Sequence, residues 1–301
     1  MTFSDEAKHR EMIKRGYCTA PLLSGAEVAG LLDAIRRIRP SLEFDSPTTG
    51  SILYHASFLD PDLEYRRKAY EIVCEALAPK LKEMLPEYHP IAGGLLVKAA
   101  GTGEVGMHCD WTSTSDTADV NIAVWCPLVD VDDDNGALRV IPGSQKLVPN
   151  VVAARLGGYW TDYLDELKAM TQPVPLKAGE AIFFDVSLLH WSRTNSSSAL
   201  RPVANLLFVH RDAQPVLYVA DEACERLEVF DMSEGRMIEH SASQLFRGDV
   251  QAPSLGSIAN PNIRIPFDEF KRRLARRSGT EQGREESGGP VRRWMLRMLG
   301  A

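Results

Sequence analysis

GTGEVGMHCDW (residues 101–111) is the stretch from which we predict the fold, because a glycine-rich turn leads there into a short strand with two metal-binding residue types. Side chains two residues apart on a strand point to the same face, so His108 and Asp110 can reach one cation while Cys109 points away. An imidazole and a carboxylate, completed by a second imidazole, form the facial triad of non-haem Fe(II) enzymes. The stretch therefore predicts a metal site that needs a distant third ligand.

Short β-type runs, separated by glycine, proline and aspartate, surround this stretch. They occupy roughly residues 93–101, 119–130, 131–144, 172–192 and 201–212. Many short strands at turn spacing, preceded by helices, are typical of a β-sandwich or jelly roll. The chain is therefore predicted to be mainly β with flanking helices.

Two amphipathic helices are predicted before the β region. The first, at about 24–38, opens with Ser24 and Glu27 in the spacing of a capping box. The second spans 61–84 and is followed by prolines that end helical structure. Both are interpreted as scaffold helices that cover a sheet.

Composition and charge limit the classes of protein to which the chain can belong. The 301 residues are 44% hydrophobic and 25% charged, as in ordinary globular proteins. A net charge of −7 makes general nucleic-acid binding unlikely as a role, and no apolar run is long enough for a transmembrane helix. The five cysteines share no CxxC spacing, so we expect a reducing, cytoplasmic location without a disulfide framework or zinc knuckle.

The chain is predicted to form one domain over 1–270, with a jelly-roll core at about 91–220. An aromatic insertion at about 150–172 is interpreted either as a lid or as a helix packed on the core. Residues 271–301 contain nine Lys and Arg but three Glu, and we expect a flexible basic tail. Its last segment, VRRWMLRMLGA, could contact a membrane surface or a partner, although a docked or disordered terminus is favoured.

His190 is the preferred third ligand because it closes an apolar strand, AIFFDVSLLH, late in the β region. Arg201 begins the next strand after a polar turn, which places it near His190 if the two strands are neighbours. A guanidinium binds a carboxylate through two parallel hydrogen bonds, as the far end of a metal-chelating 2-oxo diacid would require. Ser192 could donate a hydroxyl to the same carboxylate.

These pieces together resemble the phytanoyl-CoA dioxygenase family of Fe(II)/2-oxoglutarate oxygenases. The matching residues run from Lys98 to Asp110, and continue with Trp125, NGALRVIPGSQ (135–145), the His190-x-Ser192 pair and Arg201. The resemblance covers roughly residues 91–212, and its motifs are specific in combination although HxD alone is weak.

The resemblance implies a double-stranded β-helix (jelly-roll, cupin-like) core and a set of cofactors. Iron would be held by His108, Asp110 and His190, and 2-oxoglutarate by Arg201 and Ser192. Trp125 is assigned to the 2-oxoglutarate site, with core packing as the alternative. Halogenases of this family lack the carboxylate ligand, which favours hydroxylation of an unactivated C–H bond here, with O2 consumed and succinate and CO2 released.

The substrate itself is not predicted beyond a small molecule of lipid-like or natural-product-like character. The candidates for its pocket share only their proximity to the metal motifs, and they are Tyr54, Trp111, Thr112, Ser113, Asn121, Trp191, Arg193 and Arg211. Two other classes of function remain open: a non-oxidative cupin-type metalloenzyme such as an isomerase, and a metal-free binding barrel.

Overall fold

A six-stranded antiparallel sheet is the central layer of the computed structural model, which describes residues 2–39, 54–148 and 151–279. Its strand order is β1-β8-β5-β10-β3-β2, and a four-stranded sheet has the order β4-β9-β6-β7. A third sheet is formed by β11-β12-β13. The strands are β1 Tyr17–Pro21, β2 His55–Ala56, β3 Tyr88–Lys98, β4 Val105–His108, β5 Ile122–Pro127, β6 Leu138–Val140, β7 Gln172–Pro173, β8 Glu180–Asp185, β9 His190–Ser192, β10 Arg201–His210, β11 Val216–Ala220, β12 Arg226–Asp231 and β13 Ser254–Ala259.

Helices flank these sheets in the order in which the chain supplies them. They are α1 Glu6–Arg15, α2 Gly25–Ile38, α3 Leu63–Met84, α4 Leu164–Ala169, α5 Arg236–Glu239, α6 Ala242–Arg247 and α7 Phe267–Gly279, with short 3-10 helices at Ser57–Leu59 and Thr161–Tyr163. The two predicted scaffold helices are confirmed as α2 and α3. The capping box of α2 is also present, since Ser24 accepts from the Glu27 backbone N–H and Glu27 accepts from the Ser24 backbone N–H.

The outer face of the six-stranded sheet is covered by α2 and α3. Strand β5 shows the alternation behind this layering: Val124 and Cys126 point into the cluster shared with both helices. Ala123 and Trp125 point the other way, into a second cluster shared with the four-stranded sheet. Burying one face of the sheet against helices and the other against strands is the arrangement that the alternating sequence predicts. The predicted class, mainly β with flanking helices and a double-stranded β-helix core, is therefore confirmed.

The stretch that contains His190 differs from its prediction as one continuous strand. Strand β8 ends at Asp185, and β9 begins at His190 in the other sheet. The Asp185 carboxylate accepts from the backbone N–H of Ser187 at 2.9 Å, and its carbonyl accepts from Leu188 at 2.8 Å, which closes a tight turn. All four turn residues, 186–189, are buried. This turn could not be predicted from the sequence, because its residues are mostly apolar and include no glycine or proline.

The predicted boundary at residue 270 falls inside α7, so the described chain does not become a tail there. Phe270 is fully buried, and Leu274 packs against the same cluster. The Arg277 guanidinium donates to the Gly143 and Gln145 carbonyls, which ties the helix to the core. The predictions for residues 280–301 lie outside the described residues. Within the described ranges, no helix combines the length and the hydropathy needed to cross a membrane.

Candidate metal centre and cavity

His108, Asp110 and His190 come together at the paired ends of β4 and β9. His108 lies directly opposite His190 in the antiparallel register, and the Asp110 backbone N–H donates to the Val186 carbonyl at 2.8 Å. One donor atom from each of the three residues lies within 4.8 Å of the other two. Cys109 points away and donates its thiol to the Ser187 carbonyl at 3.2 Å. The three predicted ligands therefore converge on one point.

Both histidines are oriented by a backbone carbonyl two residues earlier in the chain. His108 Nδ1 lies 2.8 Å from the Gly106 carbonyl oxygen, and His190 Nδ1 lies 2.9 Å from the Leu188 carbonyl oxygen. A carbonyl can only accept, so each Nδ1 carries the proton and each Nε2 keeps its lone pair. The Nε2 atoms lie 3.6 and 3.8 Å from Asp110 Oδ1. This is how metal-binding histidines are held in known sites.

The charge states of His190 and Asp110 suit a divalent cation. Burial alone would lower the pKa of His108, but its interaction with Asp110 outweighs burial and raises this pKa. Burial, reinforced by the neighbouring His108, lowers the pKa of His190 to about 4, so this imidazole is neutral at pH 7. Burial alone would raise the pKa of Asp110, but the two histidines outweigh it and hold this pKa below its usual value. The side chains of His108 and Asp110 are 38% and 37% exposed, whereas that of His190 is 4% exposed. Two ligands thus face open space and the third is fixed in the wall.

Arg201 and Lys98 form a second polar feature beside this centre. They are directly opposite each other on β10 and β3, and both side chains are almost fully buried. Nε and Nη1 of Arg201 have no hydrogen-bond partner. Burial, with a smaller effect of Arg201, lowers the pKa of Lys98 to about 6, and burial lowers the pKa of Arg201 to about 9. Two buried basic groups without a described acidic partner form a site for an anion.

Ser192 and Trp125 contact these two basic side chains. Lys98 Nζ donates to Ser192 Oγ at 2.7 Å and also to the Arg193 carbonyl. The Arg201 guanidinium carbon lies 5.2 Å from the centre of the Trp125 ring, where a cation–π contact supports it. All four side chains therefore converge at one location between the two sheets.

A cavity of about 740 Å³ opens beside the metal ligands. Its wall includes His108 and Asp110 together with Tyr54, just before β2, and Asn205 from β10. The insertion contributes residues 152, 153 and 155–158 and Trp160, and the α5–α6 region contributes Met237, Leu245 and Phe246. Arg201 and Lys98 do not line this cavity, so the anion site lies behind its wall. The predicted insertion thus both lines the cavity and packs on the core, since Tyr163 and Leu167 are buried.

Comparison with known proteins decides the family. The family model of phytanoyl-CoA dioxygenase matches residues 14–203, which include the three converging ligands and Arg201. The chain belongs to the phytanoyl-CoA dioxygenase family. No curated protein matches its sequence.

Solved structures show the same fold as this phytanoyl-CoA dioxygenase family member. One is SnoK, described as a non-haem α-ketoglutarate-dependent carbocyclase from nogalamycin biosynthesis, with a TM-score of 0.53 and 18% identity over 70% of this chain and 86% of SnoK. Another is EvdO2 from Micromonospora carbonacea var. aurantiaca, solved with 2-oxoglutarate, with a TM-score of 0.50 and 21% identity over 72% of this chain and 94% of EvdO2.

Some predicted pocket residues of this family member line the cavity, and others do not. Tyr54, Trp111 and Ser113 lie in its wall, and the Trp111 ring packs edge-on against Phe246 with centres 4.8 Å apart. Burial, followed by the charge of Asp110, raises the pKa of Tyr54 to about 12.

The predicted pocket residue Trp191 does not line the cavity, because of strand alternation. His190 and Ser192 face inward, so the residue between them faces outward. The Trp191 ring is buried in another cluster, where its Nε1 donates to Thr171 Oγ1 at 3.1 Å and Lys168 Nζ lies 4.7 Å from its centre.

The remaining predicted pocket residues have other partners. Asn121 fixes the loop after the metal pair by accepting from the Ser113 backbone N–H and donating to Thr114 Oγ1. Arg193 is exposed and only its carbonyl takes part in the site. Thr112 accepts from the Val152 backbone N–H, and Arg211 pairs with Glu87.

The sequence analysis assigned no role to Lys98, or to the residues from 213–270 that line the cavity. A lysine that continues the apolar run GLLV was a usable signal, because an unpaired lysine is almost never fully buried without a function. Met237, Leu245 and Phe246 gave no such signal, because their segment has no clear periodicity.

Proposed function

We propose that this protein is an Fe(II)- and 2-oxoglutarate-dependent dioxygenase. His108, Asp110 and His190 would hold the iron, leaving three positions open. When bound, iron and 2-oxoglutarate supply the oxidising power for C–H hydroxylation, with O2 consumed and succinate and CO2 released. The substrate is a small molecule of lipid-like or natural-product-like character.

The observation that carries this proposal is the anion site formed by Arg201 and Lys98. Two unpartnered guanidinium nitrogens and a buried amine match the far carboxylate of a five-carbon keto diacid. Trp125 holds the guanidinium plane, and Ser192 holds Lys98 against it. A purely structural arginine would be expected to have its nitrogens satisfied within the protein. The residues present therefore fit both iron and 2-oxoglutarate.

The chain's own groups then orient the reaction. The two Nδ1–H hydrogen bonds fix the tautomer of both imidazoles and aim Nε2 at the metal position. The cavity beside His108 and Asp110 would admit the substrate on the side away from Arg201. Its mainly apolar wall would exclude water from the reacting C–H bond.

Anaerobic titration with Fe(II) and 2-oxoglutarate tests the proposal through the weak visible band of the iron–keto acid chelate. The wild-type chain is expected to show the band. The Arg201→Gln variant should still bind iron, but it should need a much higher 2-oxoglutarate concentration to give the same band. Arg193→Gln is the matched control, because that guanidinium is exposed and outside the site. If the protein is a cupin-type isomerase, Arg201→Gln should not change its activity. If it is a metal-free barrel, no band should appear.

Turnover is then followed by succinate release across acyl thioesters, amino acids and lipid-like scaffolds. Product masses should be searched for the gain of one oxygen atom, which is the expected hydroxylation. Ring closure, for which SnoK is described as a carbocyclase, would instead remove two hydrogen atoms.

A further inference from the structure

The cavity beside the metal ligands is large and mainly apolar. Aromatic and aliphatic side chains from several separate segments make up most of its wall, among them Phe58, Trp111, Trp160, Leu207, Met237 and Phe246. A volume of about 740 Å³ lies within the range of pockets that hold drug-sized ligands. This wall suits a bulky hydrophobic scaffold rather than a small polar metabolite.

Arg155 is the unusual charged group in this wall. It is exposed at the cavity and makes no ion pair with any residue in the described ranges. The lining acid Glu104 already accepts from Lys168 Nζ at 3.1 Å. His240 is engaged at both nitrogens, by the Arg236 carbonyl at 2.8 Å and the Gln251 backbone N–H at 3.0 Å. Arg155 is thus the free cation among the described lining residues.

The backbone holds Arg155 in a conformation that is costly for a residue with a side chain. Its φ is +64°, in the left-handed region, which non-glycine residues adopt at an energetic cost and often at functional sites. The absence of a side chain on Gly248, at the end of α6, leaves the space that the Arg155 side chain occupies. A Cβ on Gly248 would lie 3.0 Å from Arg155 Cδ and 2.9 Å from Val219 Cγ1. The arginine stem therefore lies against the end of the helix that supplies Leu245 and Phe246.

Asn205 adds an uncharged polar group deeper in the cavity. It lies on the inward face of β10, between Arg201 and Leu207, and its side-chain amide makes no hydrogen bond within the described part of the chain. A scaffold with a carbonyl or hydroxyl could satisfy it.

We propose that the substrate is a bulky, mainly apolar molecule with one anionic group, and that Arg155 binds that group at the cavity mouth. This inference rests on the proposed function for the reaction, but its evidence is the cavity alone. Arg155 would set both the specificity and the direction in which the scaffold enters, with the anionic end held away from the metal ligands.

Two matched fluorescent probes test the proposal: anilinonaphthalene sulfonate and phenylnaphthylamine, which has the same rings without the sulfonate. Affinities are measured with the full chain, with Fe(II) and saturating 2-oxoglutarate under argon, and again without either. Arg155→Gln is expected to weaken the sulfonate probe about fivefold, the size of a solvent-accessible charged contact, and to leave the neutral probe unchanged. Arg247→Gln, a nearby exposed arginine outside the wall, should affect neither probe.

Gly157→Trp locates the probes, because Gly157 lines the cavity and a Cβ there meets no atom within 4 Å. It should weaken both probes without disturbing the fold. The proposal is overturned if Arg155→Gln changes both probes equally or neither, or if Gly157→Trp leaves both affinities intact. Fluorescence does not depend on turnover, so failure of the 2-oxoglutarate titration would leave this comparison intact, and the two proposals can fail separately.

Discussion

Lys98→Met is expected to stabilise the free protein while weakening its affinity for 2-oxoglutarate. The fully buried Lys98 amine faces Arg201 across the β3–β10 pair, and no described acid neutralises it. Burial, and to a lesser extent Arg201, lowers the pKa of Lys98 from its ordinary value of 10.5 to about 6. The folded chain therefore keeps this lysine mostly neutral at pH 7, whereas the unfolded chain protonates it.

The difference between the pKa values of Lys98 in the folded and unfolded chain sets the size of the expected stability change. A base whose pKa falls on folding destabilises the fold below its unfolded pKa, and the cost grows as pH falls until the folded pKa is reached. At pH 7 this cost amounts to about 5 kcal/mol at most, since each unit of pKa shift corresponds to about 1.4 kcal/mol. Methionine removes that cost but also the hydrogen bonds to Ser192 and Arg193. We therefore expect a net gain of about 2 kcal/mol in the free energy of unfolding.

Urea unfolding gives the stability, and calorimetry in two buffers of different ionisation enthalpy gives the protons exchanged on binding. A bound carboxylate should raise the pKa of Lys98 again, so the wild type takes up close to one proton at pH 7 and less below pH 6. Its affinity should therefore fall by up to tenfold per pH unit above pH 6. Lys98→Met should lose both the uptake and this slope.

Lys146→Met is the control, because Lys146 is a half-buried lysine that donates to three backbone carbonyls, at residues 117–119. That variant should be destabilised while its binding of 2-oxoglutarate is unchanged. The reasoning is refuted if Lys98→Met destabilises the free protein as Lys146→Met does and still binds 2-oxoglutarate with wild-type proton uptake.

Three further substitutions, two of them paired with a control variant, test other parts of the site. Asp110→Ala should abolish both the chelate band and succinate release, and full succinate production with iron retained would disprove the ligand assignment. Trp125→Leu should weaken the affinity for 2-oxoglutarate severalfold in the anaerobic titration, because the Trp125 ring contacts Arg201. Trp191→Leu is the control and should lower only the melting temperature, because the Trp191 ring is buried in a separate hydrophobic cluster. Gly136→Ala should weaken 2-oxoglutarate binding more than Gly101→Ala, since both have positive φ but only a Cβ on Gly136 would meet neighbouring atoms.

The metal ligands could be predicted because strand geometry is local. Alternation alone puts His108 and Asp110 on one face, and it would also have excluded Trp191, which lies between two inward residues. The start of β9 could not be predicted, because the turn before His190 is built from buried residues held by Asp185. Turn signals in a sequence reflect exposed backbone, and this turn is inside the protein.

The substrate cavity was beyond the sequence because its wall is assembled from distant segments. Phe246 belongs to a segment without clear periodicity, and it reaches the cavity only because α6 packs near Trp111. Arg155 carries no local signal either, since its side chain lies against Gly248, more than ninety residues later. Long-range packing of this kind decides specificity without leaving a pattern in any one window.

The Asn135-Gly136 turn supports the anion site although neither residue is a metal ligand. Asn135 closes the turn through the Asp132 N–H and the Asp130 carbonyl, and Gly136 has φ +83°. A Cβ on Gly136 would lie 2.6 Å from the Arg193 carbonyl and 3.1 Å from Lys98 Nζ.

The turn therefore leaves the space in which Lys98 reaches its two acceptors on and beside β9. The anion site needs β3, β10, this turn and the end of β9 in place together, whereas the metal ligands need only β4 paired with β9 and the turn before it. Binding of 2-oxoglutarate should consequently be lost before binding of iron when the two facing sheets loosen, because it depends on more of the fold.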